Sequence, residues 1–331
     1  MADRPRTDFE ECGFSKGPHQ VSARLLLLTV DVEAFKGDIM PLWLEAFHHW
    51  AACAKKSGLR FCFFLSVEDA VKLREDDQGA YGDFLKAMRK LDDTGSLFYP
   101  HNHYVFDTKS GERVALAKEP AGLPSTYRKR QSMFWDVVYR HQLDLGSWLT
   151  TVREAYETVL SEAGCQRPSF PVFRAGGWDY GDSCQDLQQY IAALVDAGFR
   201  ADSSACRGVF GTPTWRIGSH FCANVFKLED HLLEIAPTWS IDMSVPPFSI
   251  PYVRTLLSLR EHRNLFRGLP GAFVAVLHFD HLFRGRSRGC IEPFAIQDPT
   301  TLKKRIDRLF RILTSLRSVL SLNCSTFDEI V

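Results

Sequence analysis

Leu25-Leu-Leu-Leu-Thr-Val-Asp-Val-Glu33 decides how this chain is read. An apolar run of strand length stops abruptly at two acids. Strands buried on both faces are written as continuous apolar runs, whereas half-exposed strands alternate. The run therefore predicts a central parallel strand. Carboxylates at the C-terminal end of such a strand lie at the mouth of an α/β sheet or barrel, where active sites are built. Val32 separates the acids, so period-two geometry sends Asp31 and Glu33 to the same face. The plain alternative is that one acid caps a following helix and the other is solvated.

Working outward, Pro41 opens a helical pattern (Leu42, Leu44, Phe47, Trp50, Ala51, Ala54) that stops at Gly58. A second buried strand is expected over 59–65 and a helix over 81–92, closed by Gly95. A short strand then runs into Tyr99-Pro-His-Asn-His103. Alternation of this kind predicts parallel β/α units. Residues 108–145 mix charges, Gly, Pro and aromatics, and read as a long insertion over the active face. Helices are expected again over 147–163 and 183–197. They bracket a short strand that reaches Pro171-Val-Phe-Arg-Ala-Gly-Gly-Trp178. Later strands are expected at 232–235 and 272–277. Asp298 caps a last helix whose Leu302, Ile306, Leu309, Leu313, Leu316 and Leu320 form one apolar stripe. Its other face carries Lys303, Lys304, Arg305, Arg308, Arg311 and Arg317 and reads as a solvated face. Residues 1–22 read as a tail before a single domain over 23–331.

The chain has 331 residues, 45% of them hydrophobic, and a formal net charge of zero. That composition suits a large core, and the zero charge gives no field that would gather nucleic acid or an anionic membrane. The apolar run at 25–30 is too short to span a bilayer, and the first twenty residues lack the apolar core of a secretory signal. Nine cysteines occur without a C-x-x-C pair. Their odd number and scatter predict free thiols in a reducing cytosol. No phosphate-binding or dinucleotide-binding glycine motif is present.

Polar residues recur where strands are expected to end: Asp31 and Glu33, His101 and His103, Arg174, Asp202, Trp239 and Asp242, then His278, Asp280 and His281. Such a series suggests a site at one end of a barrel. Histidine with carboxylate suits a divalent metal, zinc above all. On extended backbone His101 and His103 face one ion. Asp107, four residues on, is a candidate further ligand if its loop turns back. His278, directly after an apolar strand, suits a general acid, or else orients another side chain. Arg174 suits orientation of a catalytic carboxylate, or else a buried salt bridge with Asp31 or Asp202. Gly176 and Gly177 allow unusual backbone angles or close approach. Trp178, Tyr180, Trp239 and Asp202 are candidates for binding substrate, the aromatic rings by stacking on a sugar.

In order and spacing, these segments resemble the polysaccharide deacetylase superfamily, with its NodB-homology fold. Thr29-Val-Asp-Val-Glu33 resembles the family's Thr-Phe-Asp-Asp motif. Gly58-Leu-Arg-Phe-Cys-Phe-Phe-Leu65 resembles its Gly-x-x-Ala-Thr-Phe-Phe strand, and His101-Asn-His103 its histidine motif. Phe173-Arg-Ala-Gly-Gly-Trp178, Gly198-Phe-Arg-Ala-Asp-Ser-Ser204, Val276-Leu-His278 and Thr326-Phe-Asp-Glu-Ile330 resemble the later motifs. The resemblance implies an α/β fold, a distorted (β/α) barrel of the deacetylase type. It implies one divalent metal, usually zinc, held by an acid and two histidines. It also implies a carboxylate base, Asp31, oriented by Arg174, and a histidine acid, His278. The implied reaction is hydrolysis of an N-acetyl group on an acetamido sugar or glycoconjugate, as in bacterial surface-polysaccharide assembly.

Two departures from the pattern stand out. Val32 occupies the place of the family's second aspartate, the metal ligand, and Glu33 is its nearest substitute. The family's histidines are four apart, whereas here four after His101 is Val105 and four after His103 is Asp107. The ligand set is then Glu33, His101 and His103, or one that includes Asp107 or Asp31. A fold that lost catalysis and binds a carbohydrate or protein, and a metal-independent glycoside hydrolase, are the competing readings.

Overall fold

The computed structural model describes residues 24–33, 39–107, 109–111, 143–176, 184–204, 225–229, 232–235, 237, 239–241, 271–287, 290–292, 295–296 and 298–330. Most of the predicted insertion over 108–145, and the first 23 residues, lie outside these ranges.

The apolar run forms β1 (Arg24–Val32) at the centre of a ten-stranded sheet. The following strands are β2 (Cys62–Ser66), β3 (Leu97–Asn102), β4 (Val172–Ala175), β5 (Ala201–Asp202), β6 (Val225–Glu229), β7 (Leu232–Ile235), β8 (Trp239–Ile241) and β9 (Gly271–His278). A hairpin of β10 (Gly285–Ser287) and β11 (Cys290–Glu292) stands apart, and β12 (Asn323–Ser325) returns to β1. The strand order is β6-β7-β5-β4-β3-β2-β1-β9-β8, with β12 paired beside β1. Every pair in this sheet is parallel except β6 with β7. Among the described residues the α-helices are α1 (Met40–Ser57), α2 (Val67–Asp76), α3 (Gln78–Asp92), α4 (Leu145–Ala163), α5 (Cys184–Asp196) and α6 (Pro299–Leu320). The architecture is a distorted (β/α) barrel, as expected.

Period-two geometry divides the core into two parts. Leu25 and Leu27 pack inside the curled sheet with Cys62, Phe64, Leu97, Tyr99, Val172, Ala272, Val274 and Phe327. Leu26, Leu28, Val30 and Val32 face the helix layer. That layer is aromatic: Trp43 and Phe47 on α1 meet Phe279, and Trp50 stacks edge-on against Phe61 and Phe310. The uniform hydrophobicity of β1 thus reflects burial of both faces.

Helix ends follow local chemistry. Gly58, at φ 63°, closes α1 in the left-handed conformation and donates its N–H to the Ala54 carbonyl. The Asp144 carboxylate accepts from the Gly146 and Ser147 N–H groups and starts α4. Asp298 does the same for α6 through Thr300 and Thr301. Helix α2 was not expected, because its apolar positions are too few to mark a stripe. Part of the basic face of α6 is not solvated as expected. Arg305 donates to the Leu282 and Arg284 carbonyls, whereas Lys303 stays exposed and pairs with Glu45 at 2.7 Å on the surface.

Candidate metal centre

Strand parity assembles the site. In β1 the inward series Leu25, Leu27, Thr29, Asp31 becomes polar as it approaches the C-terminal end. Register sets Asp31 of β1 beside His278 of β9, and His101 of β3 beside Arg174 of β4. Four of the expected residues therefore share the inner face at one end of the sheet, with Glu33 and His103 just beyond it.

Glu33, His101 and His103 converge. Glu33 Oε1 lies 3.0 Å from His101 Nε2 and 2.8 Å from His103 Nε2, and the two imidazole nitrogens are 3.1 Å apart. His101 Nδ1 lies 3.0 Å from the Arg174 carbonyl oxygen. A carbonyl only accepts, so Nδ1 carries the proton and Nε2 presents its lone pair to the cluster. That is the arrangement metal-binding histidines use. The donor atoms on a tetrahedral zinc are separated by about 3.3 Å, given zinc–ligand bonds of about 2.0–2.1 Å. The donor set and its spacing fit a divalent ion.

The electrostatics agree. Burial would raise the Glu33 carboxyl, but the charge of His103 and its hydrogen bond, with the His101 imidazole alongside, hold it well below the usual range. Burial would lower His103, yet the Glu33 carboxylate outweighs it and raises the imidazole to about 9. Without an ion, a proton on His103 supplies the positive charge that this cluster is built around.

Asp31 is buried, and its Oδ1 accepts from Arg174 Nη1 at 2.5 Å. The fully buried guanidinium also donates to Thr29 Oγ1, Ser203 Oγ and the Ser203 carbonyl, and lies 3.7 Å over the Phe64 ring. One arginine thus fixes one carboxylate oxygen. The other, Asp31 Oδ2, lies 3.7 Å from His278 Nδ1, which is also 3.9 Å from Glu33.

Glu68, which no motif marks, and Gly176, read above as allowing close approach, hold the histidine segment. Glu68, at the start of α2, accepts from the His103 N–H at 3.0 Å and from Asn102 Nδ2. Burial, and then the charge of Asp69, push its carboxyl up to about 7. Gly176 lies against the His103 ring. A Cβ there would sit 2.4 Å from ring atoms Cγ and Nδ1.

Other expectations need correction. Asp107 does not turn back: its exposed carboxylate accepts from the Lys109 and Ser110 N–H groups at 2.8 and 3.0 Å and closes a local turn. Asp202 is paired in register with outward-facing Phe173, not with Arg174. It is buried behind the sheet, where it accepts from Tyr190 and Ser204. Trp178 and Tyr180 lie outside the described residues. Trp239 lies in β8, but its side chain is outside them. Val32 is buried against the helix layer, so its position does not face the site.

No protein-family model matches the sequence, and no curated protein matches it. Among solved structures, a Mycobacterium smegmatis protein assigned as a polysaccharide deacetylase is 15% identical, with a TM-score of 0.42, covering 94% of this chain and 98% of that one. A family 4 carbohydrate esterase from Bacillus anthracis is 10% identical, with a TM-score of 0.38, covering 100% and 93%. A family 4 carbohydrate esterase from Bacillus subtilis is 12% identical, with a TM-score of 0.34, covering 92% and 82%. The chain is similar to polysaccharide deacetylases and family 4 carbohydrate esterases.

Proposed function

We propose that this protein is a metal-dependent hydrolase that removes an N-acetyl group from an acetamido sugar or glycoconjugate, in the cytoplasm, during assembly of a bacterial surface polysaccharide. The observation that carries this reading is the convergence of Glu33, His101 and His103 beside an Asp31 whose one oxygen is fixed by Arg174. Glu33, His101 and His103 would hold the ion, most simply Zn2+. When bound, it supplies Lewis acidity toward the acetamide carbonyl and toward water.

The remaining chemistry belongs to side chains. Asp31 takes a proton from the water that attacks the carbonyl carbon, through Oδ2, since Oδ1 is committed to Arg174. Arg174 keeps that carboxylate from swinging away. His278, within 4 Å of both carboxylates, carries the proton that the leaving nitrogen needs. The C–N bond breaks, the amine nitrogen leaves with the His278 proton, and acetate is the second product.

The test is metal content and acetate release from N-acetylated oligosaccharides. Wild-type protein is expected to bind one divalent ion at this cluster and to lose turnover with chelator. Asp31→Asn should lower kcat by about 10²–10⁴-fold while keeping the metal, and His103→Ala should lose both. Turnover that survives chelator would overturn metal dependence. Absence of both turnover and metal binding would overturn the hydrolase reading.

A further inference from the structure

We propose a second divalent-metal site, of zinc type, on the outer face of the molecule, formed by His49, Cys53 and Asp307. It is independent of the cluster described above. His49 and Cys53 are four residues apart on α1 and so lie on one face of that helix. Asp307 comes from α6, which packs on α1 across 254 residues of sequence. Asp307 Oδ1 lies 2.9 Å from His49 Nε2 and 3.4 Å from Cys53 Sγ, and Sγ is 3.6 Å from Nε2.

Three different donor types, one nitrogen, one sulfur and one oxygen, meet around one point. Zinc–sulfur bonds of about 2.3 Å and zinc–nitrogen or zinc–oxygen bonds of about 2.0 Å place tetrahedral donors about 3.3–3.5 Å apart. The observed triangle falls close to one face of that tetrahedron. Side-chain exposures of 25% for His49 and 51% for Asp307 leave the fourth position open to solvent. A thiolate with an imidazole selects zinc-like ions over magnesium or calcium. A Cys–His–Asp catalytic relay does not fit, because the histidine does not lie between the other two. One Asp307 oxygen faces both partners. On binding, the S–H bond breaks, the proton goes to solvent and sulfur bonds to the ion. The ion would then tie α1 to α6.

Cobalt(II) separates this site from the other, because only a thiolate ligand gives an intense sulfur-to-cobalt charge-transfer band. Metal-free, reduced full-length protein is titrated with Co2+. The band is expected in wild type and in His103→Ala, and is expected to vanish in Cys53→Ser. Asp307→Ala, at an exposed position, should weaken the thiolate-band titration at least about tenfold. Zinc should raise the melting temperature of His103→Ala but not of the His103→Ala, Cys53→Ser double variant. A wild-type titration without the band, a band that persists in Cys53→Ser, or an unchanged affinity in Asp307→Ala would overturn the site. If Cys53→Ser does not fold, the Asp307→Ala titration decides alone.

Discussion

At the scale of single residues, the site depends on which face each side chain takes. Asp31 and Glu33 were legible because strand parity puts both on one face, and Val32 drops out because the same parity sends it to the helices. His103 depends on a glycine. With a Cβ at residue 176 only 2.4 Å from the imidazole, Gly176→Ala must displace that ring. Metal affinity should fall about 10–100-fold, the usual cost of disturbing a ligand's support, with the far-ultraviolet circular dichroism unchanged. Unchanged affinity would show that the ring is not a ligand. Protons report on the same residue. His103 is raised to about 9 without metal, so at neutral pH an entering ion must expel its proton. Calorimetry at pH 7 in buffers of different ionisation enthalpy should find close to one proton released per ion at this cluster. Affinity should climb with pH and level off above about 9. The sign for stability is the reverse. The His103 contribution to the metal-free fold is complete below pH 6.5 and is lost as pH rises through about 9. Asp202 and Asp107 were misread for local reasons. A shift of one residue along β5 carries Asp202 behind the sheet, and the turn at Lys109 and Ser110 consumes Asp107.

At the scale of elements, the histidine segment is clamped between β3 and the start of α2. Sequence reasoning missed this clamp, because Glu68 sits in no motif and a lone acid near a helix start reads as a dipole partner. Here it points inward to the His103 N–H and to Asn102. Its carboxyl is raised from an ordinary 4.5 to about 7, so the folded state holds the proton more tightly than the unfolded chain. That contribution is complete below about pH 4.5 and fades as pH rises through about 7. Glu68→Gln keeps an acceptor and removes the titration. Urea unfolding of the metal-free protein should therefore show a shallower decline over that window than wild type, by about 1–3 kcal/mol across it. Parallel slopes would assign the raised value no thermodynamic weight. The variant also isolates the clamp from charge: metal affinity at neutral pH should stay within about tenfold of wild type. By contrast the α1 and α6 boundaries were readable, since Pro41, Gly58 and Asp298 act within one turn, whereas Asp144, the cap of α4, was counted in the insertion.

At the scale of the whole molecule, chemistry sits at the C-terminal ends of the strands, and the opposite end of the inner core is closed by the C-terminal segment. β12 pairs with the first half of β1, and the 3-10 turn Phe327–Glu329 follows it. Phe327 packs on Phe64 and Tyr99, with ring centroids 5.7 and 5.1 Å away, and is fully buried with Ile330 close by in the same cluster. Asp328 accepts from the Ser169 and Phe170 N–H groups, Arg60 Nη1 lies 2.5 Å from Glu329 Oε1, and Arg60 Nη2 donates to the Cys324 carbonyl. The closing motif was legible as a resemblance, but its work is a matter of long-range packing that no local pattern encodes. Removing the ring should leave a cavity that rigid strands cannot collapse. Phe327→Ala is therefore expected to cost about 3–5 kcal/mol, seen as a lower urea midpoint with an unchanged slope. Phe64 is shared between the plug and the Arg174 guanidinium, but the ligands Glu33, His101 and His103 are held by β3, α2 and each other, so zinc affinity measured well below the unfolding transition should stay within about tenfold of wild type. A loss of affinity comparable to the loss of stability would mean that β1 transmits strain along its length. A stability loss below about 1 kcal/mol would mean that the inner core is held mainly by its polar end, through Arg174 and its partners.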